Sequence, residues 1–142
     1  EFAGKFYSTK VRNQFEFLLK NEENIIYHGE VTEKTKKHLL RNAHIFCLPT
    51  NFLEGQPISI IEAYASGCFV LTSNKPGIKD IFKDGENGFS LNKINSLNIK
   101  KKLENILKNP DLCKKIAFQN RKLAGKFFKE EKYIENIRNA IL

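Results

Sequence analysis

The stretch His44-Ile45-Phe46-Cys47-Leu48-Pro49, the loop Thr50 to Gln56, and Pro57-Ile58-Ser59-Ile60-Ile61-Glu62-Ala63-Tyr64-Ala65-Ser66-Gly67-Cys68-Phe69-Val70-Leu71-Thr72 read in turn as strand, loop, helix and strand. His44 to Leu48 is an apolar run stopped by Pro49, which predicts a strand buried on both faces in the middle of a sheet. Pro57 suits a first helical turn, where its missing N–H costs nothing, and Gly67 suits the helix end. Cys68 to Thr72 is a second apolar strand. Two such strands joined by a helix predict a right-handed crossover between parallel neighbours.

The same alternation extends in both directions. Phe2-Ala3 before Gly4 looks like the tail of a strand, and Val11, Phe15, Leu18 and Leu19 share one helical face. Asn24 to Tyr27 reads as a short strand ending at His28-Gly29, and Thr32 can cap a helix running to about Asn42. Downstream, Pro76-Gly77 opens a short helix through Ile81 and Phe82, and Asp84-Gly85-Glu86-Asn87-Gly88 is turn chemistry before a strand, Phe89 to Leu91. From Ser96 the pattern is helical. Leu97, Leu103, Ile106 and Leu107 form one apolar set, Leu112, Ile116 and Leu123 a second, and Tyr133, Ile134, Ile137 and Ile141 a third, with breaks near Asn109-Pro110 and Gly125. The expectation is an α/β, Rossmann-like, doubly wound parallel sheet with helices on both faces, forming one domain over residues 1–142. Ligands of such sheets bind beyond the carboxyl ends of the strands, which directs attention to the Thr50 to Gln56 loop.

Composition narrows the function classes. With 142 residues, 41% hydrophobic and 28% charged, the chain can bury a core of its own and is neither fibrous nor low in complexity. No apolar run approaches the roughly 18 residues of a membrane span, and no secretory leader pattern opens the chain, so a cytoplasmic domain is expected. Cys47, Cys68 and Cys113 lack any CxxC spacing and read as small apolar residues in a reducing compartment. The net charge of +8, carried mostly by Lys, invites an anionic partner: nucleic acid, an anionic membrane or a phosphorylated small molecule.

In the central loop and helix, Gly55 allows a ligand close to the backbone, a helix N-terminus favours an anion, and Glu54 and Glu62 place two carboxylates eight residues apart. Glu54 stays in the loop and Glu62 lies about one and a half turns into the helix. A carboxylate on that apolar helix calls for hydrogen-bond donors, and the paired hydroxyls of a ribose would supply them. The plain alternatives are a surface Glu62 paired with a lysine and a Glu54 that interacts only with the helix dipole.

The pattern Glu, seven residues, Glu, read with Gly55, Pro57, Glu62-Ala63 and Gly67, the strand Phe69-Val70-Leu71-Thr72 and the turn Asp84-Gly85-Glu86-Asn87-Gly88-Phe89, resembles the C-terminal domain of retaining GT-B glycosyltransferases, glycosyl transferases group 1 (family four). His28-Gly29-Glu30-Val31 and His44 to Pro49 stand upstream in the expected order. The resemblance implies one half of a GT-B enzyme that binds a nucleotide diphosphate sugar, most simply a UDP or GDP sugar. It gives Glu54 a catalytic place against the transferring sugar and Glu62 the ribose hydroxyls. The Gly55, Gln56, Pro57 and Ile58 backbone would face sugar and diphosphate, Gly29, Glu30 and Val31 the base, and Asn74 to Gly77 the border of the same crevice. It implies no cofactor and no metal, and an acceptor glycan or glycolipid carried by an N-terminal domain, in bacterial surface polysaccharide or glycolipid synthesis. The acceptor half and a basic pair that the family places upstream are not among these residues, so this chain alone is expected to bind donor without turnover. Asn74-Lys75-Pro76-Gly77 departs from the family's frequent glycine pair and puts the local anion contacts in question.

His28, His38 and His44 have no carboxylate or cysteine at ligand-like spacing and read as incidental. Ser59 and Ser66 lack the glycines of a hydrolase elbow. Lys100, Lys101, Lys102, Lys114, Lys115, Lys126 and Lys129, with Phe118, Phe127 and Phe128 nearby, could serve a polyanion or an anionic leaflet, but the aromatics fall among Leu and Ile positions at helical spacing and are expected to face the core. The enzyme reading has no nucleic-acid partner and is compatible with weak contact at the inner face of the cell membrane. The competing reading is a non-catalytic nucleotide- or polyanion-binding module.

Overall fold

Every residue of the strand Phe69–Ser73 is buried, which requires partners along both of its edges and on both of its faces. In the computed structural model, which describes residues 1–20, 22–129 and 131, the edges are met by Ile45–Leu48 (β1) and Gly88–Leu91 (β3), parallel to Phe69–Ser73 (β2) in the order β1-β2-β3. Ile45 pairs with Phe69 and Val70 with Gly88. Val70 packs with Ile60, Tyr64 and Ile78, while Phe69 and Leu71 pack with Leu91, Ile106 and Ile116. The first group comes from the helices Ile58–Ser66 (α3) and Pro76–Lys79 (α4); in the second, Leu91 belongs to β3 and Ile106 to Ser96–Leu107 (α5). The long helix Pro110–Phe127 (α6) gives Ile116 to one cluster and Ala124 to the other.

These elements belong to one unit, Leu40–Leu142; Glu1–Leu39 form another. In the first, Phe2 bridges Tyr27 in parallel, and Phe2, Phe6, Phe15 and Tyr27 gather with ring centroids 5.0–5.5 Å apart. Phe15 comes from the helix Thr9–Leu19 (α1). The helix Glu33–Asn42 (α2) starts at Thr32, whose Oγ1 accepts from Thr35 N–H at 3.3 Å.

Local chemistry explains the junctions. Gly67 ends α3 at φ 78°, in the left-handed region, with Gly67 N–H bonded to Tyr64 O and Cys68 N–H to Ala63 O, so the chain reverses directly into β2. A side chain at Gly88, φ 152°, would run into the Val70 backbone, so β3 can pair there only through glycine. The fully buried Asn120 donates Nδ2 to Cys68 O at 2.8 Å and Asn87 O at 2.9 Å, and accepts from Asn87 Nδ2 at 3.0 Å. One amide thus ties α6 to the start of β2 and to the turn before β3.

The structure departs from the sequence expectations at several points. β1 is an edge of this three-stranded sheet rather than its middle, and leaves Cys47 exposed, because β2 takes the doubly paired position. Asn24 to Tyr27 forms only the isolated bridge at Tyr27. Pro57 is the extended residue before α3, not its first helical residue. Val11, Leu18, Leu97, Leu107 and Leu112 are exposed despite their spacing. Gly125 lies inside α6, and Phe118 and Phe127 face solvent while Phe128 packs against the core. Tyr133, Ile134, Ile137 and Ile141 lie outside the described residues.

Asn120→Ala removes the donor to the Cys68 carbonyl and the acceptor of the Asn87 side-chain amide, while the Asn87 carbonyl keeps Val70 N–H at 3.3 Å, and it is expected to cost about 2–3 kcal/mol, read as a lowered denaturant midpoint at unchanged slope. The Cys68 thiol, fully buried, is pushed up to about 11 by desolvation, with a smaller contribution from Cys113. Since the thiolate is the nucleophile, Cys68 should resist iodoacetamide at pH 8 until the protein is denatured, as mass spectrometry of the native and unfolded chain would show.

Candidate functional site

The loop after β1 is held at its root. Thr72 Oγ1 donates to Leu48 O at 2.9 Å, joining the carboxyl ends of β1 and β2, and the buried Thr50 accepts Phe52 N–H on Oγ1 at 3.1 Å. From this root the chain carries Glu54, half-buried, then exposed Gly55 and Gln56, and enters α3 through Pro57. Pro57 has no side-chain oxygen to cap α3, which starts at the exposed Ile58, and Ile60 N–H bonds to Pro57 O at 3.0 Å. Glu62 lies just over a turn into α3, half-buried, two residues before Tyr64. The buried Tyr64 phenol donates to Ile81 O at 3.1 Å and is pushed up by burial, so it stays a neutral donor that fastens α3 from behind.

The loop after β2 meets the first loop at close range. Gly77 lies so near the carbonyls of Glu54 and Gly55 that a Cβ on it would overlap them. The sequence reading placed Asn74 to Gly77 beside the same crevice, and within this unit the two segments are in contact; the role of Gly77 as the spacer between them was missed. Its signal was a glycine directly after Pro76 in the first turn of a helix, where glycine is otherwise a poor choice. A single glycine at the contact is therefore sufficient for the close approach, and the half-buried Lys75, extended at φ −100° and ψ 154°, stands just before α4.

Gly29, Glu30 and Val31 belong to the other unit. Gly29 adopts φ 65°, its carbonyl accepts Gly4 N–H at 2.8 Å, and Glu30 stands 3.3 Å from Lys5 in an exposed pair. Together with Lys5, Phe6, Arg12 and Tyr27, Gly29 and Glu30 line an open cleft of about 420 Å³. The Arg12 guanidinium is held by Glu16 at 2.7 Å, and that hydrogen bond raises it further above its ordinary range. Lys5 and Arg12 had not been singled out from the sequence, since nothing in their spacing marks them. His28 Nε2 is 3.8 Å from a Glu1 carboxylate oxygen, and His38 and His44 are exposed. Among the described residues no three His, Cys, Asp or Glu side chains converge in a way that could hold a metal ion, and no helix is long and apolar enough to cross a membrane.

This arrangement, with a carboxylate loop and an uncapped helix at the carboxyl ends of parallel strands, can be set beside known proteins. The family model described as glycosyl transferases group 1 matches residues 3–123. The chain belongs to that family. It is 30% identical over 140 residues, 92% of this chain and 38% of the relative, to a Campylobacter jejuni enzyme named as a GalNAc-alpha-(1->4)-GalNAc-alpha-(1->3)-diNAcBac-PP-undecaprenol alpha-1,4-N-acetyl-D-galactosaminyltransferase. HepE of Anabaena, in a crystal structure with UDP-glucose, superposes with TM-score 0.84 at 16% identity, over 98% of this chain and 39% of HepE. The C-terminal domain of LpcC, a group 1 family protein from Francisella tularensis, gives TM-score 0.74 at 24% identity, over 86% of this chain and 64% of that one. The fold of this group 1 chain is thus that of GT-B glycosyltransferases. The chain spans 19% to 38% of the length of the curated relatives it matches.

Gly77→Ala is expected to displace the Glu54–Gly55 turn and shift the backbone amide resonances of Gly55, Gln56 and Ile58. Gly125→Ala, where a Cβ meets nothing within 4 Å, should leave those resonances in place. On the exposed face of a helix it should stabilise the protein by about 0.5–1 kcal/mol.

Proposed function

We propose that this chain is the donor-binding half of a retaining, cytoplasmic glycosyltransferase that moves a sugar from a nucleotide diphosphate to an acceptor hydroxyl, in bacterial surface polysaccharide or glycolipid synthesis. The observation that carries the reading is the contact of Gly77 with Glu54 and Gly55, which gathers a carboxylate, an uncapped helix start and Lys75 at the carboxyl ends of β1 and β2. Within the first unit, Gly29, Glu30 and Val31 are the segment that the family resemblance gives to the base. The Campylobacter relative, named for a glycan on PP-undecaprenol, supports a lipid-linked acceptor, and the Anabaena structure supports UDP as the first nucleotide to test.

The chemistry assigns each group a task. The bond from the anomeric carbon to the diphosphate breaks, and the electron pair leaves on the phosphate oxygen. The acceptor hydroxyl oxygen forms its bond on the face the diphosphate leaves, and its proton passes to that departing oxygen. Negative charge grows on the diphosphate as the bond breaks, and the N–H groups at the start of α3, with Lys75, stabilise it there without reorganising. Glu62 accepts hydrogen bonds from the two ribose hydroxyls and fixes the nucleotide. Glu54 accepts from hydroxyls of the transferring sugar and orients it for attack. No resident cofactor or metal is required by these steps.

Calorimetric titration of the full-length enzyme with UDP and GDP tests the assignment. Glu62→Ala should weaken the preferred nucleotide roughly ten- to over a hundred-fold, the loss of about 1.5–3 kcal/mol of charged hydrogen bonding. Glu54→Gln should leave nucleotide affinity nearly unchanged and lower kcat by about a hundredfold. Nucleotide affinity indifferent to Glu62→Ala would sink the donor-site assignment.

A further inference from the structure

The outer face of α6 has no part in the site described above. Lys115, Phe118, Lys122, Lys126 and, just past the helix, Lys129 recur at spacings of three and four residues and are all exposed, flanked by Lys114 and Arg121. Asp111, in the first turn, is the one carboxylate of the helix. The opposite face, Ile116, Asn120 and Ala124, is buried. Phe118 is 61% exposed in the middle of the cationic stripe, with Lys122 Nζ 4.4 Å from its ring centroid. Phe127 is half exposed beneath Lys126 Nζ at 5.0 Å.

We propose that this face of α6 docks on an anionic membrane surface. A helix of 18 residues offers a contact line of about 27 Å along its exposed face, which can lie on a plane. Lysine stems lie along apolar surface while their ammonium groups reach outward, so phosphate headgroups can take the ammonium of Lys122 and leave the Phe118 ring to enter the headgroup boundary. The attraction of the cations adds along the stripe and fades beyond a Debye length. The same residues fit nucleic acid less well. Only Arg121 offers a planar fork, and the helix presents no groove to follow a strand and no row of rings for successive bases. This surface shares no residue with the proposed donor site.

Sedimentation of the full chain with phosphatidylcholine vesicles and with mixed phosphatidylcholine–phosphatidylglycerol vesicles tests it, with circular dichroism confirming the fold of each variant. Binding is expected only to the mixed vesicles and should be lost between about 0.1 and 0.5 M salt. Lys115→Glu/Lys122→Glu/Lys126→Glu should lower the partition coefficient about tenfold or more, and Phe118→Ser about threefold, whereas Lys34→Glu/Lys37→Glu/Lys93→Glu, with the same change in net charge, should leave it within about twofold. Equal loss in the two triple variants would overturn the proposal, since net charge alone would then explain binding. So would equal binding to both kinds of vesicle, absence of binding to either, or binding of a single-stranded oligonucleotide through these lysines without any binding to vesicles.

Discussion

Burying a strand on both faces and both edges is the constraint on which the larger unit depends. β2 has no solvent-exposed residue, so every polar backbone group along it needs a partner and every side chain needs packing. β1 and β3 satisfy the ladder, α3 and α4 cover one face, and α5 with the first half of α6 covers the other. Two features close what remains. Gly88 lets β3 approach the Val70 backbone where any side chain would collide, and the Asn120 amide binds the Cys68 carbonyl where the strand begins. A buried amide with all its partners present rigidifies a core; with one removed it becomes a liability.

That rigidity is passed to the loops at the carboxyl ends of the strands. Thr72 bonds to Leu48 O, so the loops after β1 and β2 leave from a common root, and Gly77 brings them into contact a few residues later. Tyr64 pins α3 to Ile81 from the far side. The backbone at Glu54 and the helix α3 are thus placed by close packing against Gly77 and by these hydrogen bonds. The donor-binding role proposed above would draw on this support, because a departing diphosphate is best stabilised by dipoles that do not move when charge develops. The cationic face of α6 is a separate property of the same helix that supplies Asn120: one side completes the core, and the other carries lysines and two uncovered rings.

Much of this was legible in the residues. The apolar run Cys68 to Thr72, the Gly67 stop and the Asp84 to Gly88 turn led to β2, the α3 terminus and the entry to β3, because each rests on local backbone chemistry. Thr32 marked a helix start and Asn109-Pro110 a break between helices for the same reason. What misled was apolar content taken as burial. His44 to Leu48 looks like an interior strand, yet β1 is an edge of its sheet with Cys47 exposed; Leu97, Leu107, Leu112 and Phe118 have core-like spacing or company and face solvent. Gly125 looked like a boundary but sits on an exposed helical surface, where the missing side chain costs only a fraction of a kilocalorie to about 1 kcal/mol and the helix continues.

The sequence by itself determined the order of elements from β1 to α6, which follows from periodicity and turn chemistry, and a contiguous motif carried the resemblance to the family. Tertiary structure decided which strand is central, which face of each helix is covered, and that Gly77 meets Glu54 and Gly55 across more than twenty residues of chain. The difference is physical: caps, turns and helical periods are set by interactions among near neighbours. Burial and close approach are set by which distant surface fills the space, and only the packed chain specifies that.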